Sequence, residues 1–144
     1  MEKHMNYLPK ITFLLLFSTI LFLSACNDKE DPIGLWDDNI KLSIKQAEFN
    51  AESDSIVVTT EGNWWWIDGI SVNDSTYTFY DDVAVNLESE EYSIQKDCFT
   101  VERRNANTLF IKMDENSSGE KRLMTVYLQA GDYFDSVHIE QLAE

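Results

Sequence analysis

Three consecutive tryptophans, Trp64-Trp65-Trp66, are the most unusual chemistry-bearing feature of the chain. In an extended strand side chains alternate between faces, so Trp65 and Ile67 share one side while Trp64 and Trp66 share the other. Sugars present flat C–H faces that pack on indole rings, and their hydroxyls bond to neighbouring carboxylates and amides. Two outward tryptophans with Asp68, Asn63 and Glu61 as a polar rim would therefore make a carbohydrate platform. The same residues admit two other readings. If both faces of the strand are covered, all three rings belong to the core; if the outer pair meets a macromolecule, it is a protein contact.

The other clusters point away from catalysis and metals. Asp114-Glu115-Asn116-Ser117-Ser118-Gly119 matches the start of a calcium loop, with oxygen-bearing residues at places one, three and five and glycine at six. The twelfth place is Thr125 rather than a bidentate carboxylate, so the segment reads as a turn. Asp81-Asp82 is a weaker candidate of the same kind. His138 lies beside Asp135 and Ser136, and on a strand Ser136 and His138 share a face, but no nucleophile turn or oxyanion hole accompanies them. No His/Cys cluster offers a zinc site. Cys98 heads an apolar strand and reads as a small hydrophobe. No cofactor is expected, and the protein reads as a binding module, not an enzyme.

Composition limits the partners. Asp plus Glu number 26 against 11 Lys plus Arg, a formal net charge of −15. Phosphate backbones require a basic surface, so nucleic acid is excluded. Hydrophobic content of 44% with 12% aromatics is too high for a disordered acidic tail, and the chain past its leader should fold as one domain.

The elements that must position these residues are strands. Short β-branched and aromatic runs bounded by Asn, Asp, Ser and Gly recur at Ile40 to Phe49, Ser55 to Thr60, Trp64 to Val72, Thr76 to Tyr80, Tyr92 to Gln95, Cys98 to Arg104, Thr108 to Met113, Arg122 to Ala130 and Tyr133 to Leu142. No apolar stripe of helical period persists for three turns. Ala130-Gly131-Asp132-Tyr133 reads as a hairpin turn, Asn116 to Gly119 as a looser one and Asp81 to Glu91 as a longer acidic loop. Many short strands without helices predict an all-β sandwich of about seven to nine strands.

Ahead of this domain, Ile11 to Leu23 carries no charge and follows Lys3 and Lys10. It is shorter than the roughly twenty residues that span a bilayer, and fits the core of a signal peptide. Leu23-Ser24-Ala25-Cys26 resembles the bacterial lipobox, which implies cleavage after residue 25 and acylation of Cys26, a palmitate-bearing anchor in the membrane. Residues 26–39 then read as an acidic tether and 40–144 as the domain; Trp36 is the one aromatic in the tether. Asn27-Asp28-Lys29-Glu30-Asp31 resembles the surface-export signal of Bacteroidetes lipoproteins. The expected location is the outer membrane with the domain exposed at the cell surface, a periplasm-facing lipoprotein being the alternative. With Cys26 acylated, Cys98 has no partner and no disulfide is expected.

The order of features in residues 41 to 144 resembles the BACON domain, an immunoglobulin-like family associated with Bacteroidetes and with carbohydrate binding. The resemblance is carried by the strand Ser55-Ile56-Val57-Val58-Thr59-Thr60 and by Trp65-Trp66-Ile67 after a polar turn. It continues in Leu109 and Ile111 followed by Asn116 and Arg122, and in the closing Val137-His138-Ile139-Glu140-Gln141. It implies an immunoglobulin-like β-sandwich with Trp65 and Ile67 facing the core, and a glycan or mucin ligand at Trp64 and Trp66. The chain departs from the family between Thr76 and Gln95, where a second tryptophan is replaced by acidic residues. The rival expectation is a structural or envelope-protein interaction module. Asp54-Ser55-Ile56, Asp74-Ser75-Thr76 and Asp135-Ser136-Val137 also resemble acceptors of Bacteroidetes protein O-glycosylation.

Overall fold

The computed structural model describes residues 37–80 and 84–144. The leader, Cys26, Trp36 and the Asp81-Asp82 pair lie outside the described residues. Nine strands form, β1 (Gln46–Phe49), β2 (Asp54–Thr59), β3 (Trp66–Val72), β4 (Ser75–Thr78), β5 (Tyr92–Lys96), β6 (Phe99–Arg104), β7 (Thr108–Met113), β8 (Arg122–Ala130) and β9 (Tyr133–Gln141). No helix occurs among the described residues. The strands make a five-stranded sheet, β1-β9-β8-β3-β4, and a four-stranded sheet, β2-β7-β6-β5.

Alternation explains why these residues choose strands. Along β6, Phe99, Val101 and Arg103 are buried while Thr100, Glu102 and Arg104 are not; β7 repeats the pattern with Leu109, Ile111 and Met113. From the other sheet, Ile67, Ile70, Met124, Val126, Leu128, Val137 and Ile139 join one apolar core with them. Each such side chain contributes roughly 1.5–3 kcal/mol when fully buried, which makes this shared interior the main stabilising term of a β-sandwich without a disulfide among its described residues.

Two strands start two or more residues inside the runs read from the sequence. The run Ile40 to Phe49 becomes a strand only at Gln46: the backbone turns at Lys41 with a positive φ of 52°, and Leu42 and Ser43 then pair with Thr60 and Thr59 at the end of β2 before the chain joins β9. Asp38, expected within the tether, belongs to that turn and accepts from the backbone N–H groups of Ile40 and Lys41. Burial pushes its carboxyl up, but those N–H groups, the Tyr133 hydroxyl and Lys45 together hold it below the usual range. Second, β3 starts at Trp66, so Trp64 and Trp65 precede the ladder. Trp65 is nonetheless buried, with Nε1 donating to Thr60 Oγ1 at 3.0 Å and to the Gly62 carbonyl at 3.1 Å.

β3 also contains a bulge. Ile67 pairs with Leu128 and Gly69 with Tyr127, leaving Asp68 as the extra residue. Without it Ile67 and Ile70, three apart, would fall on opposite faces; with it both enter the core, and Asp68 stays on the side of Trp66.

Candidate functional site

The site is built at one end of the β8–β9 hairpin. Gly131 turns this hairpin with a φ of 62°, in the region that disfavours a Cβ. Strand pairing then puts Trp66 opposite Gln129 and Gln129 opposite Phe134, so the three lie in one row across the outer face of the five-stranded sheet.

Trp64 is 72% exposed. Its ring packs edge-to-face with Trp66, centroids 6.1 Å apart and planes at 84°. The same ring sits against the hairpin turn, where a Cβ on Gly131 would meet it at 3.4 Å. Trp66 is half-buried, and its Nε1 donates to Tyr80 Oη at 3.2 Å. The Tyr80 hydroxyl donates to the Asp68 carboxylate, and Gln129 Oε1 lies 2.7 Å from it. Gln129 Nε2 completes the circuit by donating to the Gly131 carbonyl at 2.7 Å. Partial burial and the Asp68 carboxylate together hold the Tyr80 phenol above its ordinary pKa, so it stays a neutral donor at physiological pH. Beside Trp66 and Tyr80 opens a cleft of about 400 Å³ that Val85, Asn86, Leu87 and Glu88 also line.

The expected rim is only partly assembled. Asp68 is in the network. Glu61 is instead ion-paired with Lys41 at 2.7 Å. Asn63 contributes its backbone carbonyl to Arg103 rather than a side-chain contact to the rings. Tyr80, Gln129, Gly131 and the 85–88 segment were not legible as site residues. Tyr80 ends an apolar run, but its approach to Trp66 depends on the β3–β4 hairpin, and Gln129 is brought in only by long-range register.

Arg103 holds this region from inside. Nearly fully buried, it donates to the carbonyls of Asn63 at 2.6 Å, Ser89 at 2.8 Å and Ala106 at 3.4 Å, and its guanidinium lies 4.7 Å from the centroid of the Trp65 ring. Burial lowers its pKa. One side chain thus joins the loop before β3, the middle tryptophan and the arm that walls the cleft.

The remaining candidates resolve into structure. Ser136 and His138 do share a face: His138 Nε2 is 3.0 Å from Ser136 Oγ, and Nδ1 is 3.0 Å from Thr125 Oγ1. Asp135 is turned to the other side of the strand and pairs with Lys45 at 2.8 Å, so no carboxylate orients the imidazole. In the Asp114–Gly119 segment, Asp114 pairs with Lys112, and Asn116 is fully buried. Asn116 donates to the carbonyls of Glu120 and Leu142, its Oδ1 accepts from the Ser118 N–H and Oγ, and its own carbonyl accepts from the Glu144 N–H, so both its oxygens are engaged in holding the turn. Among the described residues no group of three His, Cys, Asp or Glu is arranged for a metal. Cys98 is half-buried at the head of β6, and burial pushes its thiol pKa up, away from reactivity. Of the three serines in acceptor-like segments, Ser55 and Ser75 are exposed while Ser136 is half-buried and bonded to His138.

The chain matches no protein-family model and no curated protein. Among solved structures it resembles an NMR structure of a protein from Bacteroides thetaiotaomicron, with a TM-score of 0.59 and 22% identity over 79% of this chain and 94% of that one. That likeness is one of fold. An endo-fucoidan hydrolase of glycoside hydrolase family 107 aligns at a TM-score of 0.38 and 12% identity, over 77% of this chain and 15% of the hydrolase. A variant of that hydrolase gives 0.38 and 11%, over 74% and 14%.

Proposed function

We propose that the protein is a lipid-anchored, non-catalytic binding module of the outer membrane surface, related to the BACON domain, and that it binds carbohydrate or mucin glycans through Trp64 and Trp66. The observation that carries this reading is the perpendicular pair of exposed Trp64 and half-buried Trp66, braced by Tyr80, Asp68, Gln129 and the Gly131 turn. An aromatic corner held by polar groups is pre-organised, so little side-chain entropy is lost when a sugar ring docks. The family relationship draws support from residues that carried the resemblance, since half-buried Arg122 is hydrogen-bonded to buried Gln141 and buried Asn116 holds the adjoining Leu142 carbonyl. Cys26 would supply the anchor.

The test is a glycan array probed with the purified full chain and with a Trp64→Ala, Trp66→Ala double variant of unchanged circular dichroism. Saturable binding lost in the variant is the expected outcome; absence of binding to every glycan overturns it.

A second reading, contact with an envelope protein, is favoured by Leu123, Tyr127 and Phe134, which are exposed on the outer face of the same sheet. Crosslinking of a Phe134→Cys variant on intact cells discriminates it: a discrete protein adduct favours this reading, and its absence removes it.

A further inference from the structure

The cleft beside the tryptophans permits a narrower statement about the ligand, which rests on the glycan-binding reading above. One wall is aromatic, Trp66 and Tyr80; a second is Val85, Asn86, Leu87 and Glu88. The arm bearing the second wall is anchored, because Ser89 gives its carbonyl to Arg103 and Glu90 gives its carbonyl to the Ala106 N–H at 3.1 Å. Its turn is closed by Glu88 N–H donating to Asn86 Oδ1 at 3.2 Å and by Ser89 N–H donating to the Asn86 carbonyl. Asn86 therefore keeps its amide NH₂ as a donor, and the exposed Glu88 keeps its carboxylate as an acceptor.

Among the described residues that line the cleft none is cationic. A sulfated, sialylated or uronate sugar requires Arg or Lys to compensate its desolvated anion. Here it would meet Glu88 inside a Debye length of about 8 Å, where salt does not screen it, on a chain of net charge −15. An amine-bearing ligand would satisfy Glu88 but leave the Asn86 donor facing a cation. A hydroxyl group both donates and accepts, so a neutral sugar uses Glu88 and Asn86 together while its apolar face covers the aromatic wall. We infer that the cleft between Trp66–Tyr80 and the Asn86–Glu88 arm is a subsite for one uncharged sugar ring, and that the protein selects neutral glycans over charged ones.

The experiment presents the full chain with three immobilised sets: neutral hexose oligomers, sulfated or uronate-containing oligomers, and amine-bearing chitosan oligomers. Glu88→Ala and Trp64→Ala are run beside the unmodified protein; both positions are exposed, and fold is followed by near-UV circular dichroism. The expected result is binding to the neutral set alone, weakened about tenfold by Glu88→Ala through loss of a charge-assisted hydrogen bond. Binding that Trp64→Ala abolishes and Glu88→Ala leaves unchanged overturns the subsite while the glycan reading stands. Preference for the sulfated or the amine-bearing set overturns the selection of neutral sugars. Binding to none of the three overturns the glycan reading and the subsite with it.

Discussion

The two ends of the β8–β9 hairpin use polar side chains in opposite ways. At the open end Arg122 and Gln141 are a cross-strand pair. Arg122 donates to Gln141 Oε1 at 2.8 Å, and Gln141 Nε2 donates to the carbonyls of Asp114 and Glu52. Gln141 and the adjoining Asn116 are fully buried, and their hydrogen-bonding capacity is spent on carbonyls of loops and the C-terminal segment. At the turn end Gln129, Tyr80 and Asp68 lie on the outer face and their bonds fix the orientation of an indole whose neighbour is exposed. A saturated, buried polar cluster fastens chain segments together, because each lost bond would leave a desolvated group unpaired. A polar cluster under an exposed aromatic leaves contact area uncommitted, and that area is what a ligand can use.

This contrast is broken most forcefully from the open end. Gln141→Ala should destabilise the fold by about 2–4 kcal/mol, since it removes a fully buried side chain with three hydrogen bonds and leaves Arg122 and the Asp114 carbonyl only each other and the Glu52 carbonyl without its Gln141 donor, while leaving glycan affinity unchanged. Urea denaturation together with binding isotherms checks both halves; a comparable loss of affinity would show that the two ends are coupled. Next in size, Gly131→Ala should cost about 1–2 kcal/mol for forcing an alanine to a φ of 62°, a strain placed in the turn against which the Trp64 ring packs. Here affinity should fall with stability, which the same two measurements read. Trp64→Ala should cost under ~1 kcal/mol, because the ring is mostly in water, yet remove the largest component of acrylamide-quenchable fluorescence contributed by the sandwich. Quenching unchanged by the substitution would mean that Trp64 is covered.

The smallest effect concerns the inner side of the turn end, where Asp38 lies near Lys45 and Tyr133. Its pKa is lower in the folded protein than its unperturbed 3.8, so its contribution is complete above that value and disappears as pH falls through the folded value. Asp38→Asn should flatten the decline in thermal stability below about pH 4, measured by melting across an acid series. An unchanged slope would assign the acid sensitivity to other carboxylates.

Most strands were legible because their signal is local. Thr108–Met113 and Arg122–Ala130 coincide with their sequence runs, and Phe99–Arg104 differs from its run by one residue, since alternating apolar residues ended by turn formers depend on near neighbours alone. The Gly131 turn was legible for the same reason. At Ile40 and Trp64 the apolar runs extend beyond their ladders. Ile40 and Trp65 are buried by packing outside any named strand, and composition cannot separate that from burial within one.

The sequence by itself determined the acidic surface, the strand content and the outward–inward split between Trp66 and Ile67, because charge and side-chain alternation need no distant partner. Only the tertiary structure decided that Glu61 goes to Lys41, that Tyr80 and Gln129 replace it at the tryptophans, and that Arg103 ties the arm 85–91 to the loop before β3. Those contacts join residues up to 49 positions apart, and the meeting of Trp66 with Gln129 follows from the register of β3 on β8. Register is fixed by the fit of the whole core, so a shift of β8 by one residue would put an inward-facing residue in the place of Gln129.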